Sequence, residues 1–255
     1  MSGKGRAYYN EIEPGAAEML RLAMAEGLIP QGEVDERSIE DVSADDLRRF
    51  RQVHLFAGTG GWAYAARLAG WPDDRELWTW SCPCQPFSGA GLGRGFDDPR
   101  HLFPHVLRLI TVCRPATNAG EQSASALGRA WLAVVRASLE ALGYAFGAAD
   151  LCAASIGAPH ARQRIFFAAH AQRHQQPRQE PCGRTAGRMG RVQQPVSWDT
   201  PWPRALAELR VLDAGLPRSV AATDAARNAI VPELAAEFLA AFVEAAGLMS
   251  LEQAA

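Results

Sequence analysis

The sequence predicts an α/β protein, a doubly wound and mostly parallel sheet with helices on both faces, and two observations carry that expectation. Short apolar runs of strand length alternate with segments whose apolar residues recur every three or four positions. A further expected strand, Gln52 to Phe56, leads straight into Ala57-Gly58-Thr59-Gly60-Gly61, a turn that lets a ligand approach backbone at a strand's carboxyl end.

Taken in order, Tyr8 to Ile12 can form a short strand, and Ala16 to Gly27 carries Met19, Leu20, Leu22 and Met24 at helical spacing before a glycine stop. Pro30 to Asp46 is acidic and turn-rich. The strand Gln52 to Phe56, the glycine turn, a helix over Trp62 to Leu68 and a strand over Leu77 to Ser81 then follow. They deliver the chain to Pro83-Cys84-Gln85-Pro86-Phe87-Ser88. Gly89 to Gly95 holds four glycines in seven residues, the composition of a mobile or closely approached loop. Leu102, Val106, Leu109 and Ile110 mark one helix, and Leu127, Trp131, Val134, Val135, Leu139 and Leu142 another. Strands are expected around Tyr144 to Leu151 and Ile165 to Ala168. Ala116 to Gly120 is a poor strand sequence, with little β-branched or aromatic content. From Gln172 to Pro203 no apolar period survives, yet Gln172 to Arg210 contains seven arginines, no lysine and three acids. A last helix begins at Pro232 and closes at Gly247. The expected organisation is a core over 1–171, a short basic recognition region over 172–212, and a segment over 213–255 that completes the core.

Composition narrows the function. At 255 residues with 48% hydrophobic and 21% charged, the chain supports one substantial core and is neither disordered nor a disulfide scaffold. A net charge of −2 excludes gripping nucleic acid by bulk charge but leaves room for a local basic cleft. No apolar run approaches a membrane span, and Met1 to Glu13 is polar, so a cytoplasmic protein without membrane contact is expected. The five cysteines are odd in number and lack metal-ligand spacing; free thiols and no metal site are expected. Cys84 is the distinctive one, a thiol held between two prolines just after a buried strand. The glycine turn taken alone also admits a nicotinamide-dependent oxidoreductase, but Asp73 and Asp74 fall too early for the acid that reading requires.

Six segments in order resemble successive motifs of the DNA cytosine-5 methyltransferases. They are Phe56 to Gly61, Pro83 to Ser88, Asp98 to Phe103, Gly120-Glu121-Gln122, His160 to Arg164, and Asn228 to Pro232. The likeness is greatest to compact phage and prophage enzymes of this class, which includes restriction-modification methyltransferases. Only 22 residues separate Gly60 from Pro83, too few for the strand, helix and strand that usually lie between these motifs. Asn10 to Ala17 and Arg37 to Val42 resemble those pieces, so a permuted motif order is expected. The chain departs from the family at His54, Gln122, His160 and Arg227.

The resemblance implies the methyltransferase type of α/β fold and S-adenosyl-L-methionine as cofactor. It would be held by Glu11 and Ile12, Ser38 and Ile39, Phe56 through Gly61 (Phe56, Ala57, Gly58, Thr59, Gly60, Gly61), Leu102, Asn228 and Ala229. It also implies Cys84 as nucleophile, assisted by Glu121, Arg162 and Arg164. The substrate would be double-stranded DNA with a flipped cytosine, met by Gln85, Ser88, Arg184, Arg188 and Arg191, and the enzyme would act as a monomer. A second expectation from another class is a DNA-binding relative that keeps the fold but has lost turnover.

Overall fold

A computed structural model describes residues 7–83, 101–158, 162–171 and 230–248. In chain order these form β1 (Ala7–Asn10), α1 (Pro14–Ala25), β2 (Gly32–Asp35), α2 (Ala44–Leu47), β3 (Gln52–Leu55), α3 (Gly61–Leu68), β4 (Leu77–Trp80), α4 (Phe103–Cys113), β5 (Thr117–Ser123), α5 (Ala126–Ala141), β6 (Tyr144–Cys152), a 3-10 turn (Ala153–Ile156), β7 (Gln163–Ala171) and α6 (Pro232–Ala245).

The strands make one sheet in the order β2-β1-β3-β4-β5-β7-β6. The first five neighbours run parallel, while β7 is antiparallel to both β5 and β6. The fold is therefore the mostly parallel α/β architecture that strand and helix alternation predicts. β1 connects outward to β2, whereas its other neighbour β3 connects in the opposite direction to β4. That reversal leaves a crevice between the carboxyl ends of β1 and β3, where ligands bind in open α/β sheets.

Both faces are covered, so β1, β3 and β4 are buried along their whole length. One face packs Val53, Leu55, Trp78, Trp80 and Phe167 against α2, α4 and α5. The other packs under α1, α3 and α6. Beneath that second face, Gln52 donates to the Pro72 carbonyl at 3.0 Å, so its own amide oxygen must accept from His54 Nε2 at 3.3 Å. His54 Nδ1 then accepts from the Thr79 hydroxyl at 2.7 Å. Burial pushes the imidazole down to about 3, and this neutral tautomer satisfies every group in the chain of bonds.

Local chemistry fixes the helix ends. The Glu13 carboxylate caps α1 through the Ala16 N–H at 2.6 Å, Pro14 starts it, and Ser125 caps α5 through the Gly128 N–H at 3.0 Å. Gly60 stands at the start of α3 with φ 91°, a left-handed conformation that side-chain-bearing residues resist.

Two segments depart from the sequence reading. The acidic turn-rich stretch contains β2 and α2; each is only four residues long, too short for either period to register, and α2 is held by a reciprocal Ser43–Asp46 capping box. The unpromising run through Gly120 is a seven-residue strand, β5, buried through Gln122. Its small residues are there because large ones flank it. A Cβ at Gly120 would lie 2.2 Å from the Trp80 carbonyl oxygen and 2.3 Å from the Phe167 ring. Gly120→Ala is expected to destabilise the protein by about 3 kcal/mol through overpacking, read as a lowered chemical-denaturation midpoint; an unchanged midpoint would contradict this packing.

Candidate active site

The carboxyl ends of β1 to β5 share one edge of the sheet, and β7, being antiparallel, begins at that edge. At the β1–β3 crevice the Glu11 carboxylate accepts the Gly58 N–H at 2.7 Å and the Glu13 N–H at 2.9 Å. The Ala57 N–H is held by the Asn10 carbonyl at 2.9 Å. Glu11 thus fastens the glycine turn to the start of α1, and a carboxylate with about four acceptor positions keeps two for another donor.

Gly58 has φ 54° and open space where a Cβ would stand, so its backbone faces the crevice. Ala57, Gly58, Thr59 and Gly61 are half-buried, and Gly60 is buried against Leu20 and Ile29. Phe56 also takes a left-handed backbone, φ 53°, and its ring packs on the core beside the turn. Ile230, the residue after Ala229, lies against Gly61, 2.8 Å from where a Cβ would be.

Of the other residues expected at a cofactor, Ser38 is half-buried and caps the Glu40 N–H at 3.4 Å, and Ile12 is 63% exposed. Ile39 is 2% exposed and belongs to the core with Tyr8 and Val42. Leu102 is partly buried against the same cluster at the start of α4. The Arg37 loop is locked by Asp35, which accepts from the Arg37 guanidinium at 2.6 Å and from Tyr8 at 2.6 Å. Burial alone would raise the Asp35 carboxyl, but these bonds outweigh it and hold it at about 2.

On β5 and β7 the antiparallel register sets Glu121 opposite Phe166 and Ser123 opposite Arg164. Arg164 is two residues from Phe166 and so shares its face, which brings the Arg164 Nε to 2.7 Å from Glu121 Oε1. Glu121 is 8% exposed. Burial raises its carboxyl above the ordinary range, and the charges of Arg164 and Arg162 oppose the rise. A carboxyl raised in this way keeps its proton to higher pH than an exposed one and can present it to a ligand. Arg162 stands just before β7, where its carbonyl accepts from the Ala153 N–H at 2.9 Å.

β4 ends at Trp80 and points the chain at the same edge. Cys82 is 5% exposed and packed in the core, and burial pushes its thiol up, which makes it a poor nucleophile. Cys84, Gln85 and Ser88 lie outside the described residues, as do Arg184, Arg188, Arg191, Asn228 and Ala229. Asp73, which falls too early for the acid that a nicotinamide reading requires, is paired with Arg67 at 2.6 Å on the turn between α3 and β4, at the opposite edge of the sheet. Sequence reading gave no role to Trp62 or Ser81, which the structure joins by a hydrogen bond of 3.0 Å. A tryptophan at a buried helical position carries no signal beyond packing. Among the described residues no group of side chains could hold a metal ion, and no helix is long and apolar enough to cross a membrane.

The family model for C-5 cytosine-specific DNA methylases matches residues 67–188. The chain is 28% identical over 159 residues to the Type II methyltransferase M.SsoII of Shigella sonnei, covering 47% of this chain and 42% of that protein. It is 35% identical over 99 residues to the Type II methyltransferase M.NlaX of Neisseria lactamica, covering 37% of this chain and 31% of that protein. The chain thus spans less than half the length of these curated relatives. Among solved structures it is similar to the S. pombe Dnmt2 methyltransferase, with 20% identity, a TM-score of 0.41, and coverage of 64% of this chain and 41% of that one.

Proposed function

We propose, from the premise that this chain belongs to the DNA cytosine-5 methyltransferase family, that it methylates carbon 5 of cytosine in double-stranded DNA through an adduct between Cys84 and carbon 6. The observation that carries the proposal is the pairing of buried Glu121 with half-buried Arg164, 2.7 Å apart, at the sheet edge shared by the glycine turn and by the strand leading to Pro83-Cys84.

S-adenosyl-L-methionine would supply an electrophilic methyl group. The crevice suits it: the Gly58 backbone is open, Glu11 keeps acceptor positions suited to ribose hydroxyls, and the Phe56 ring stands beside the turn. Asn228 and Ala229 would reach the same place, because the next residue, Ile230, lies on Gly61. Ser38, Leu102 and Ile12 would complete the rim, with Ile39 supporting it from the core.

Carbon 5 of cytosine is a poor nucleophile. Addition of the Cys84 thiolate to carbon 6 forms a carbon–sulfur bond and moves the ring's electron pair toward nitrogen 3 and carbon 5. The Glu121 carboxyl would donate its proton at nitrogen 3, and Arg164 would hold both Glu121 and the cytosine carbonyl. Once carbon 5 carries the methyl group, loss of its proton to solvent restores the carbon 5–carbon 6 double bond and expels the thiolate, and the nitrogen 3 proton returns to Glu121. Positive charge from Arg162 and Arg164 favours the thiolate form. The base must leave the stack to reach such a site, a requirement shared by enzymes acting on a base within a duplex.

Gln85, Ser88, Arg184, Arg188 and Arg191 are proposed to contact DNA, with 172–212 as the recognition region and the protein acting in the cytoplasm as a monomer. A permuted motif order is supported by the strand arrangement, in which β1 and β2 precede the glycine-turn strand β3 in the chain yet lie beside it in the sheet. The family match starting at Arg67, beyond the glycine turn, is in keeping with that.

Transfer from methyl-labelled S-adenosyl-L-methionine to unmethylated duplex DNA, followed by digestion to nucleosides, tests the proposal. Label is expected in 5-methylcytosine. Label in a methylated exocyclic amine, or none despite bound cofactor and DNA, would refute it.

A further inference from the structure

Ser81 stands between the two halves of the proposed site. Leu55, Trp80 and Gly120 are register partners across β3, β4 and β5, so Phe56, Ser81 and Glu121 stand side by side in the next row. The Ser81 side chain lies on the α3 face of the sheet, because its hydroxyl accepts the indole N–H of Trp62, the second residue of α3, at 3.0 Å. Glu121 is on that face too: Phe166, its partner across the strands, meets the Trp62 ring at 6.0 Å. Ser81 is thus a half-buried hydroxyl with the strand of the glycine turn on one flank and the buried acid on the other.

The bond to Trp62 decides how this hydroxyl can act. An indole has one donor and no acceptor, so Ser81 accepts in that bond and its own proton must go elsewhere. Among the described residues no acceptor takes it. Trp62 is 5% exposed and packed on Phe166, and Cys82, the next residue in the chain, is sealed in the core. Ser81 is therefore held between two buried neighbours with a donor to spare at the rim of the crevice. The strongest partner for such a donor is an anionic oxygen.

The chemistry of the ligand selects that oxygen. In the cofactor site proposed above, on which this inference rests, Glu11 after β1 takes the ribose and the methyl group must reach a base at Glu121 on β5. Neighbouring strands are about 4.8 Å apart, so the sulfonium and the amino-acid end come over β3 and β4. A sulfonium and an ammonium cannot accept a hydrogen bond; the carboxylate can. We infer that Ser81 is a cofactor-binding residue whose hydroxyl, oriented by Trp62, donates to the carboxylate of the cofactor's methionine moiety.

The experiment measures by calorimetry, without DNA, the affinity of the full-length protein for S-adenosylhomocysteine and for S-adenosyl-3-thiopropylamine, the same molecule lacking its carboxylate. Weak binding is read by displacement. A hydrogen bond to a charged group is worth about tenfold or more in affinity, so the wild type should bind the amine at least about tenfold more weakly. Ser81→Ala should lose about tenfold or more for S-adenosylhomocysteine and stay close to wild type for the amine. Ser81→Cys, which keeps the shape but donates weakly, should show the same selective loss, and it stands in if the alanine variant does not fold. An equal loss for both ligands would place the serine at the ammonium or in packing alone, and no loss for either would take it off the cofactor; each overturns the inference. So does a wild type that does not distinguish the two ligands. Failure of the wild type to bind S-adenosylhomocysteine contradicts the proposed cofactor itself, and the role of Ser81 falls with it.

Discussion

Cys84→Ser is expected to take methyl transfer below detection, a loss on the order of 10⁶-fold, comparable to removing the nucleophile from other covalent catalysts. The reason is ionisation. A thiol with an ordinary pKa near 8.5 is a few per cent thiolate at neutral pH, and neighbouring guanidinium groups increase that fraction, whereas a serine hydroxyl stays protonated. S-adenosylhomocysteine affinity should stay within a few-fold of wild type, because the proposed cofactor contacts follow β1, β2, β3 and, at Ser81, β4, or precede α4 and α6, and none is in the Cys84 segment. Among the described residues no other cysteine can substitute. Cys82 is sealed in the core, Cys113 ends α4, and Cys152, paired with Gln163, stands on the sheet face opposite to that of Arg164; Cys182 lies outside the described residues. A Cys84→Ser protein that retained transfer would place the nucleophile elsewhere.

The second large effect is at Glu121. Glu121→Gln should lower the turnover rate by roughly 10²–10⁴-fold, the usual worth of a positioned general acid. Glutamine keeps the shape and an acceptor for Arg164, so the variant should fold and bind DNA; what it lacks is a transferable proton. The pH profile separates this from a packing defect. The raised carboxyl of Glu121 is active while protonated, so the wild-type rate should fall on the alkaline side as that proton is lost, while Cys84 ionisation makes the rate rise from the acid side. Glu121→Gln should lose the alkaline fall and keep the rise. A merely slower enzyme with the same bell-shaped profile would remove Glu121 from the proton transfer.

How far the sequence could be read follows from where its signals are local. The glycine turn, the start of α6 and the strand β3 are written in adjacent residues: glycines directly after a short strand, a proline at a helix start, and Val53 and Leu55 in alternation. β5 was obscure because its composition answers to neighbours far away in the chain. Asn118, Ala119 and Gly120 are poor strand formers, and Gly120 is required by Trp80 on one side and Phe167 on the other. β2 and α2 were obscure for a different reason, since four residues do not complete a recognisable period. At the site, the roles of Glu121 and Arg164 were reached from motif resemblance, but their pairing depends on an antiparallel register that no local pattern states. The Trp62–Ser81 bond was invisible to sequence, because an indole on a buried helical face looks the same whether or not its N–H has a partner. Glu11 was expected to serve a ligand alone; the structure shows that it also fastens the Gly58 backbone.

The covalent adduct is the central claim, and trapping it is the most direct test. Duplex DNA substituted throughout with 5-fluorocytosine needs no knowledge of the target sequence, and its carbon 5 fluorine cannot leave as a proton does, so elimination of Cys84 is blocked after methyl transfer. Incubation with S-adenosyl-L-methionine should yield a protein–DNA species that survives denaturing electrophoresis, requires the cofactor and disappears in Cys84→Ser. Methyl transfer to ordinary cytosine without any such adduct, or an adduct that persists in Cys84→Ser, would contradict the account.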